Sequence, residues 1–390
     1  MKPKLRFKEF SDEWQVIKLS NISSGITKGT TPKKYSDIGI NFVKVENIHD
    51  NTITNINSYI SENTHNGELK RSILKENDIL FSIAGALGRT AIVKKDILPA
   101  NTNQACSIIR LDNPDEIDLN YLINRLNNTD IKNYIFKCQS VGAQPNLSLE
   151  QVNNILISYP SKTEQRKIGN LLSTIDKKIE LQSKKIEDLK LFKLSQSNLI
   201  KIDDSYKKIS LKSILKEYNE KSTINNQYEI LSSTAKGIFL QSEYFNKQAA
   251  SENNIGYKIL RKNQLVLSPQ NLWMGNININ NKYEIGIVSP SYKIFDINTN
   301  VINIEYFKNW IKSPRALYEY MISSEQGASI VRRNLNMDLF NEITLSVPNM
   351  NEQNKIGKML SLIDNKILLE EDKYKKLLEL KKGLMQKMFV

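Results

Sequence analysis

The sequence predicts an α+β protein: two mixed α/β domains joined by two long helices that pair as an antiparallel coiled coil, with a pseudo-two-fold internal repeat. Three observations predict it. The phrase "EQRKIGNLLSTIDKKIEL" (164–181) returns as "EQNKIGKMLSLIDNKILL" (352–369). Each copy opens a run with heptad apolar spacing. Each is also preceded by a segment of similar size with strand-like patterning.

The repeat fixes the boundaries. Pro160 aligns with Pro348, 188 residues on. Over residues 146–181 about half the positions are identical under that offset, among them Asn146/Asn334, Leu147/Leu335, Glu164/Glu352, Gly169/Gly357 and Asp176/Asp364. A single period of this size marks a duplicated domain, since solenoid units run about 20–50 residues. The expected division is a first domain over 1–160, a helix within 161–205, a second domain over 206–348 and a second helix within 349–390.

In the first domain "NFVKVENI", "DILFSIAG", "TAIVKK" and "QACSIIRL" read as strands, followed by helices at "DLNYLINRLNN" and "TDIKNYIFKC". The alternating Ile155 and Ile157 of "NNILISYP" give one more strand before Pro160. Ser161 or Thr163 then caps a helix whose first turn holds Glu164, a carboxylate suited to the helix dipole. Ile168, Leu172, Ile175, Ile179, Ile186 and Leu189 recur at spacings of four and three along it.

The second domain shows strands at "KYEIGIVS" and "YKIFDI" and helices at "NIEYFKNWIKS" and "PRALYEYMIS". "NEITLSVP", a cap at Asn349 or Asn351, and Glu352 repeat the earlier sequence of signals. Ile356, Leu360, Ile363, Ile367, Tyr374, Leu377 and Leu384 continue the second seam. Gln182 and Glu370 fall at matching heptad positions. They either face solvent or form a buried polar layer whose hydrogen bond fixes register.

Composition narrows the class. The apolar and charged fractions, 40% and 25%, are those of a soluble globular protein. Two cysteines, Cys106 and Cys138, make no disulfide framework and fit a reducing cytoplasm. No apolar run has signal-peptide or membrane-spanning length, so no membrane partner is expected. The net charge of +13 suits a polyanionic partner, although a Lys-, Asn- and Ile-rich composition also produces it without any basic tail.

"NLSLEQVNNILISYPSKTEQRKIGNLLSTID" and "NLNMDLFNEITLSVPNMNEQNKIGKMLSLID" each carry the pattern P-x-x-x-E-Q-x-K-I. With "ENDILFSIAGALGRTAIV", "NQACSI", "GIVSPSY" and "LKKGLMQKMF", they make nearly the whole chain resemble the specificity subunits of Type I restriction-modification systems. The resemblance implies a non-catalytic subunit with two target recognition domains, each reading half of a bipartite double-stranded DNA sequence. Two antiparallel helices would set the gap and dock two methyltransferase subunits, with restriction/translocase subunits added for cleavage. It implies no cofactor in this chain. S-adenosylmethionine would belong to the methyltransferase partner, and ATP and Mg to the restriction partner.

A complete methyltransferase or nuclease is the competing reading, and a coiled-coil interaction protein with no DNA role is another. The sequence has no Pro-Pro dipeptide for an Asn-Pro-Pro-aromatic motif; "SPQNLW" (268–273) comes nearest. "GITKGTT" (25–31) lacks the spacing of a phosphate loop. Pro114, Asp115, Asp130 and Lys132 make a forced nuclease pattern in which capping explains Asp130. His49, His65, Cys106 and Cys138 have no zinc spacing, so core cysteines and surface histidines are expected.

DNA contacts are expected from amide, hydroxyl and cationic side chains on loops, which match the donor and acceptor patterns of bases and phosphates. In the first domain these are Lys28, Thr30, Thr31, Lys33, Lys34 and Tyr35, then Arg89, then Asn103 and Gln104. In the second they are Ser232, Thr234, Lys236, Gln270, Asn271, Trp273, Asn276, Tyr292, Arg332 and Arg333. The alternative for each is a solvated loop or a side chain bonded to its own backbone.

Overall fold

The computed structural model describes residues 2–112, 116–138, 145–198, 206–244, 253–326 and 333–390. It divides into two compact units, Met1–Ser183 with Asp372–Val390, and Lys184–Glu371.

The first unit contains β1 (Gln15–Lys18), β2 (Ser23–Lys28), β3 (Ile48–His49), β4 (Thr52–Ile53), β5 (Ile79–Ser82), β6 (Thr90–Ile92), β7 (Cys106–Leu111) and β8 (Leu156–Tyr159). Its helices are α1 (Leu119–Leu126), α2 (Thr129–Cys138) and the start of α3 (Lys162–Asn198). Strands β2, β7, β5 and β6 form an antiparallel sheet in that order. All four residues of β5 are buried, which is why "ILFS" reads as an apolar run without alternation. Ile79, Phe81 and Ile109 pack there with Leu122 and Leu126 of α1. A smaller three-stranded sheet pairs Ile40–Val43 with Tyr59–Ile60 and Ala100–Thr102.

The second unit repeats this plan. It contains β9 (Lys207–Ser210), β10 (Leu215–Tyr218), β11 (Leu231–Thr234), β12 (Gly237–Leu240), β13 (Leu265–Leu267), β14 (Ile277–Ile279), β15 (Lys293–Ile297) and β16 (Thr344–Val347). Helices α4 (Ile304–Trp310), α5 (Pro314–Ile322) and, up to Glu371, α6 (Met350–Met388) follow. The sheet order β10-β15-β13-β14 matches β2-β7-β5-β6. Lys18 faces Leu156 where β1 pairs with β8, and Ser210 faces Thr344 where β9 pairs with β16.

The twice-written phrase docks each long helix. Gln165 accepts from Asp118 N (2.9 Å) and donates to the carbonyls of Pro160 (3.0 Å) and Glu116 (3.1 Å). Gln353 likewise accepts from Asn303 N (2.9 Å) and donates to the Pro348 carbonyl (2.9 Å). Asp118 and Asn303 are the N-caps of α1 and α4, so one buried amide ties strand exit, long helix and neighbouring cap together. Close approach explains the paired glycines. A Cβ on Gly169 would lie 2.8 Å from Asp118 Oδ1 and 2.9 Å from Tyr121 N. On Gly357 it would lie 2.7 Å from Asn303 Oδ1 and 2.9 Å from Tyr306 N.

Helix α3 starts one residue after Ser161, and Asn349 Oδ1 accepts from Glu352 N (3.0 Å) at the start of α6. In the first unit Ile168 and Leu172 of α3 are buried with Leu384, Met385 and Met388 of α6, and Lys381 pairs with Asp176 (2.5 Å). In the second, Leu189 packs on Leu360, Ile363 and Ile367. There Lys193 pairs with Asp364 (2.7 Å) and Lys185 with Glu370 (3.0 Å), an order that only antiparallel helices give. The two Lys–Asp pairs are equivalent under the 188-residue offset. Ile175, Ile186 and Ile367 are buried, while Ile179, Gln182, Ile356, Tyr374 and Leu377 are half-buried.

Glu370 is fully buried, and its Oε1 takes both Lys185 and Lys366 (3.2 Å). Both lysines stay half exposed, so removing the carboxylate leaves no cation stranded. Replacing a buried ionic group with a hydrophobic one of similar size is often stabilising by about 1–4 kcal/mol. The Gln182→Leu/Glu370→Leu double variant is therefore expected to melt higher than the parent in a thermal scan. A lower midpoint would show that the buried Glu370 carboxylate contributes net stability.

Candidate nucleic-acid interface

Strand register gathers the first unit's predicted residues at one end of its sheet. Ser107 faces Lys28 at the end of β2, and Cys106 faces Ser82 at the end of β5. The stretches around 28–31, 83–89 and 103–106 therefore meet. Gly29 N donates to the Cys106 carbonyl and Thr30 N to the Thr102 carbonyl, both at 3.0 Å. A Cβ at Gly29 would sit 2.2 Å from two carbonyl oxygens, so the backbones touch only because this residue has none. Thr31 Oγ1 then donates to Gln104 Oε1 (2.8 Å), joining two segments far apart in sequence.

Lys28, Thr30, Thr31, Lys33, Lys34, Tyr35, Arg89 and Gln104 are exposed, and Asn103 is half-buried. Tyr35 stands edge-on to Phe42 with the Lys44 ammonium 5.1 Å from its ring, and burial raises its phenol pKa. Asn103 Oδ1 accepts from Ala105 N (3.2 Å), a local turn bond. Arg89 lies 3.4 Å from the carbonyls of Val45 and Ile48. It also lines a cleft of about 650 Å³ with Lys132, Lys381 and Lys382, of which sequence reasoning singles out only Lys132, and not for DNA contact. Lys381 and Lys382 come from α6, and nothing local in the sequence signals that neighbourhood.

In the second unit Leu267 faces Ile277 and Lys293, so the 268–276 turn and the approach to β15 share the equivalent sheet end. Lys236 and Gln270 are exposed there, and Thr234, Asn271, Trp273 and Tyr292 are half-buried. Thr234 Oγ1 donates to the Gly237 carbonyl (3.2 Å) and accepts from Lys236 N (3.1 Å), holding the hairpin turn. Tyr292 donates to the Ser233 carbonyl (3.1 Å), and burial raises its pKa.

Three expectations need correction. Ser232 is buried inside β11, opposite Phe239, rather than on a loop. Asn276 is buried too: it accepts from Ser233 Oγ (2.9 Å) and donates to the Ser233 carbonyl (3.0 Å). Arg333 donates to Ser324 Oγ (2.9 Å), the Ser324 carbonyl (2.5 Å) and the Met321 carbonyl (3.2 Å), which ties it to the chain at and just after the end of α5. Arg332 lies outside the described residues.

The tested catalytic patterns resolve into structural roles. Asp130 makes a bidentate pair with buried Arg125 (2.7 and 2.6 Å) rather than a cap, and Pro114 and Asp115 lie outside the described residues. Cys106 is a buried strand residue whose thiol burial pushes up to about 11, and Cys138 is half-buried. His49 meets the Glu46 carbonyl (2.6 Å) and His65 meets Asn101 Oδ1 (2.5 Å). Among the described residues no three His, Cys, Asp or Glu side chains gather to hold a metal, and no helix is long and apolar enough to cross a membrane. The assembled chemistry is that of donors and acceptors: ammonium, guanidinium, amide and hydroxyl groups at one sheet end in each unit.

The chain is similar to several known proteins. The profile described as "Type I restriction modification DNA specificity domain" matches residues 11–191. The putative type I restriction enzyme MjaX specificity subunit of Methanocaldococcus jannaschii is 25% identical, covering 97% of this chain and 93% of its own. The type I restriction enzyme EcoBI specificity subunit of Escherichia coli is 30% identical over 102 residues, 26% of this chain and 21% of its own. The crystal structure of the Type-I restriction-modification system S subunit from M. genitalium aligns with TM-score 0.64 at 17% identity, covering 100% of this chain and 99% of that one. A chain from a study of type I R-M complex assembly and conformational transition aligns with TM-score 0.54 at 14% identity, covering 96% and 97%.

Proposed function

We propose, from its similarity to type I restriction-modification specificity subunits, that the chain reads a two-part DNA sequence, one half with each unit, on behalf of a modification and restriction complex. The observation that carries this reading is the equivalence of the two sheet ends. Each presents amide, hydroxyl and cationic groups, and each unit seats its long helix with the same Gln clamp. Lys28, Lys33, Lys34, Arg89 and Lys236 supply phosphate contacts that position the duplex. Thr30, Thr31, Gln104, Gln270 and Asn271 supply candidate base contacts.

The remaining assignments follow from the same reading. The chain itself carries no catalytic step. The outer faces of α3 and α6 dock two methyltransferase subunits, which bind S-adenosylmethionine. Restriction/translocase subunits bring ATP and Mg, and the complex works in the cytoplasm. Leu181, Phe192, Leu362 and Leu369, at least half exposed on these helices, support the docking assignment.

Selection of the full-length chain against a random duplex pool tests the function. Two short conserved blocks at a fixed separation are expected, with affinity falling steeply as salt rises because phosphate contacts release counterions. No methyl transfer is expected when the purified chain meets DNA and S-adenosylmethionine. Enrichment of nothing, or of one contiguous block, contradicts two-unit reading, and methylation by the chain alone would revive the enzyme alternative.

A further inference from the structure

Asn127 and Lys312 occupy the same place in the two units. The N-caps Asp118 and Asn303 are 185 residues apart, as are Tyr121 and Tyr306, and the same step takes Asn127 to Lys312. Each residue follows the end of the first helix after the sheet, α1 or α4. Their side chains have nothing in common beyond an N–H donor.

Both nevertheless make the same bridge. Asn127 Nδ2 reaches Asn51 Oδ1 (2.8 Å), in the β3–β4 turn, Thr90 Oγ1 (2.5 Å), the first residue of β6, and the Ile123 carbonyl of its own helix (2.7 Å), closing a triad in which Thr90 Oγ1 also donates to Asn51 Oδ1 (2.7 Å). Asn51 holds a left-handed φ of 66° there, and Thr90 adjoins the exposed Arg89. Lys312 Nζ donates to the carbonyls of Ala235 (3.1 Å), in the β11–β12 turn beside Lys236, and of Gly275 (2.8 Å), which leads into β14. β14 is the counterpart of β6 in sheet order. In each unit a helix-end donor thus joins a hairpin tip to the edge strand of the sheet.

Burial pushes the Lys312 ammonium down to about 8, so holding it there costs free energy that an apolar side chain would not. Its two carbonyl acceptors are what the position provides in return. Around it, Asn278 Nδ2 donates to Ser233 Oγ and to the Thr234 carbonyl, both at 2.8 Å, so the hairpin tip rests on a bonded floor.

We propose that Asn127 and Lys312 are positioning residues for sequence recognition, each clamping a hairpin tip onto the sheet end that reads one half-site. This rests on the DNA-reading function above. Neither residue needs to touch DNA. Each fixes the loops that carry Arg89 or Lys236.

Hydrogen exchange and duplex selection on the full-length chain test the idea together. Lys312→Met is expected to speed amide exchange at 234–237 and 275–279 by about tenfold, the loss of two ordinary hydrogen bonds. Exchange in α6 should not change. Base preference should weaken by about tenfold in one selected block only, as for a lost base contact. Asn127→Ala should do the same to the other block, and Lys312→Arg, which still donates to both carbonyls, should restore the parent pattern. If Lys312→Met does not fold, Lys312→Gln takes its place.

Unchanged exchange overturns the clamp. Faster exchange with both blocks weakened equally, or neither weakened, overturns the positioning role. If the parent chain selects no two-part motif, DNA reading fails and the recognition role with it, while the exchange data still report whether the bridge holds the loops.

Discussion

Arg6→Ala is expected to destabilise the first unit by about 3 kcal/mol, the scale for stranding one partner of a buried ion pair. Glu164 is 1% exposed, and Arg6 grips both its oxygens at 2.8 Å. Without the guanidinium, no other cation among the described residues pairs with this buried carboxylate. The second unit provides an internal control. Glu352, the equivalent carboxylate, is only half-buried and accepts a hydrogen bond from Tyr206 (2.8 Å). Tyr206→Phe should therefore cost about 1 kcal/mol, an ordinary hydrogen bond. Calorimetry of both variants decides it, and Arg6→Ala/Glu164→Leu should recover most of the loss because no charge is left buried. A change under about 0.5 kcal/mol in Arg6→Ala, the range of an unremarkable surface substitution, would mean that water reaches Glu164 freely.

The contrast between these carboxylates also shows which features the sequence makes readable. The repeated Glu, Gln and Gly positions stand out because both copies solve one local problem: docking a long helix on the cap of the next helix. Heptad spacing declares the seam because a burial stripe on a helix has a fixed period. The partner of each Glu is not readable, since Arg6 and Tyr206 come from segments that share no sequence. The same limit applies to the recognition loops. Ser232, Asn276 and Arg333 have side chains well suited to bases, yet the fold buries the first two and bonds Asn276 and Arg333 to its own backbone. Residue type says what a side chain can bond, and only the register of β11 and the closing of the 268–276 turn decide what it meets. Lys312 is hidden for the opposite reason, because a lysine at a helix end resembles a solvated surface charge.

Lengthening both helices is expected to change the DNA target without changing how its halves are read. Helices α3 and α6 each contribute residues to both units. Inserting one matched heptad after Lys185 and another after Lys373 keeps the apolar seam in phase. It leaves the Asp176–Lys381 and Lys193–Asp364 pairs on their own sides of the insertions. Seven residues add about 10.5 Å at 1.5 Å each, and B-DNA rises about 3.4 Å per base pair. Selection should return both parent blocks with a gap wider by up to about three base pairs, and by less if the helices run oblique to the duplex. The mismatch between 3.6 and 3.5 residues per turn adds about 20° of rotation per heptad, so affinity should fall even where base preference holds. The two quantities must therefore be scored separately. Parent spacing retained in a folded, heptad-extended chain would show that the gap is set outside the paired helices, by the partners or by the DNA itself.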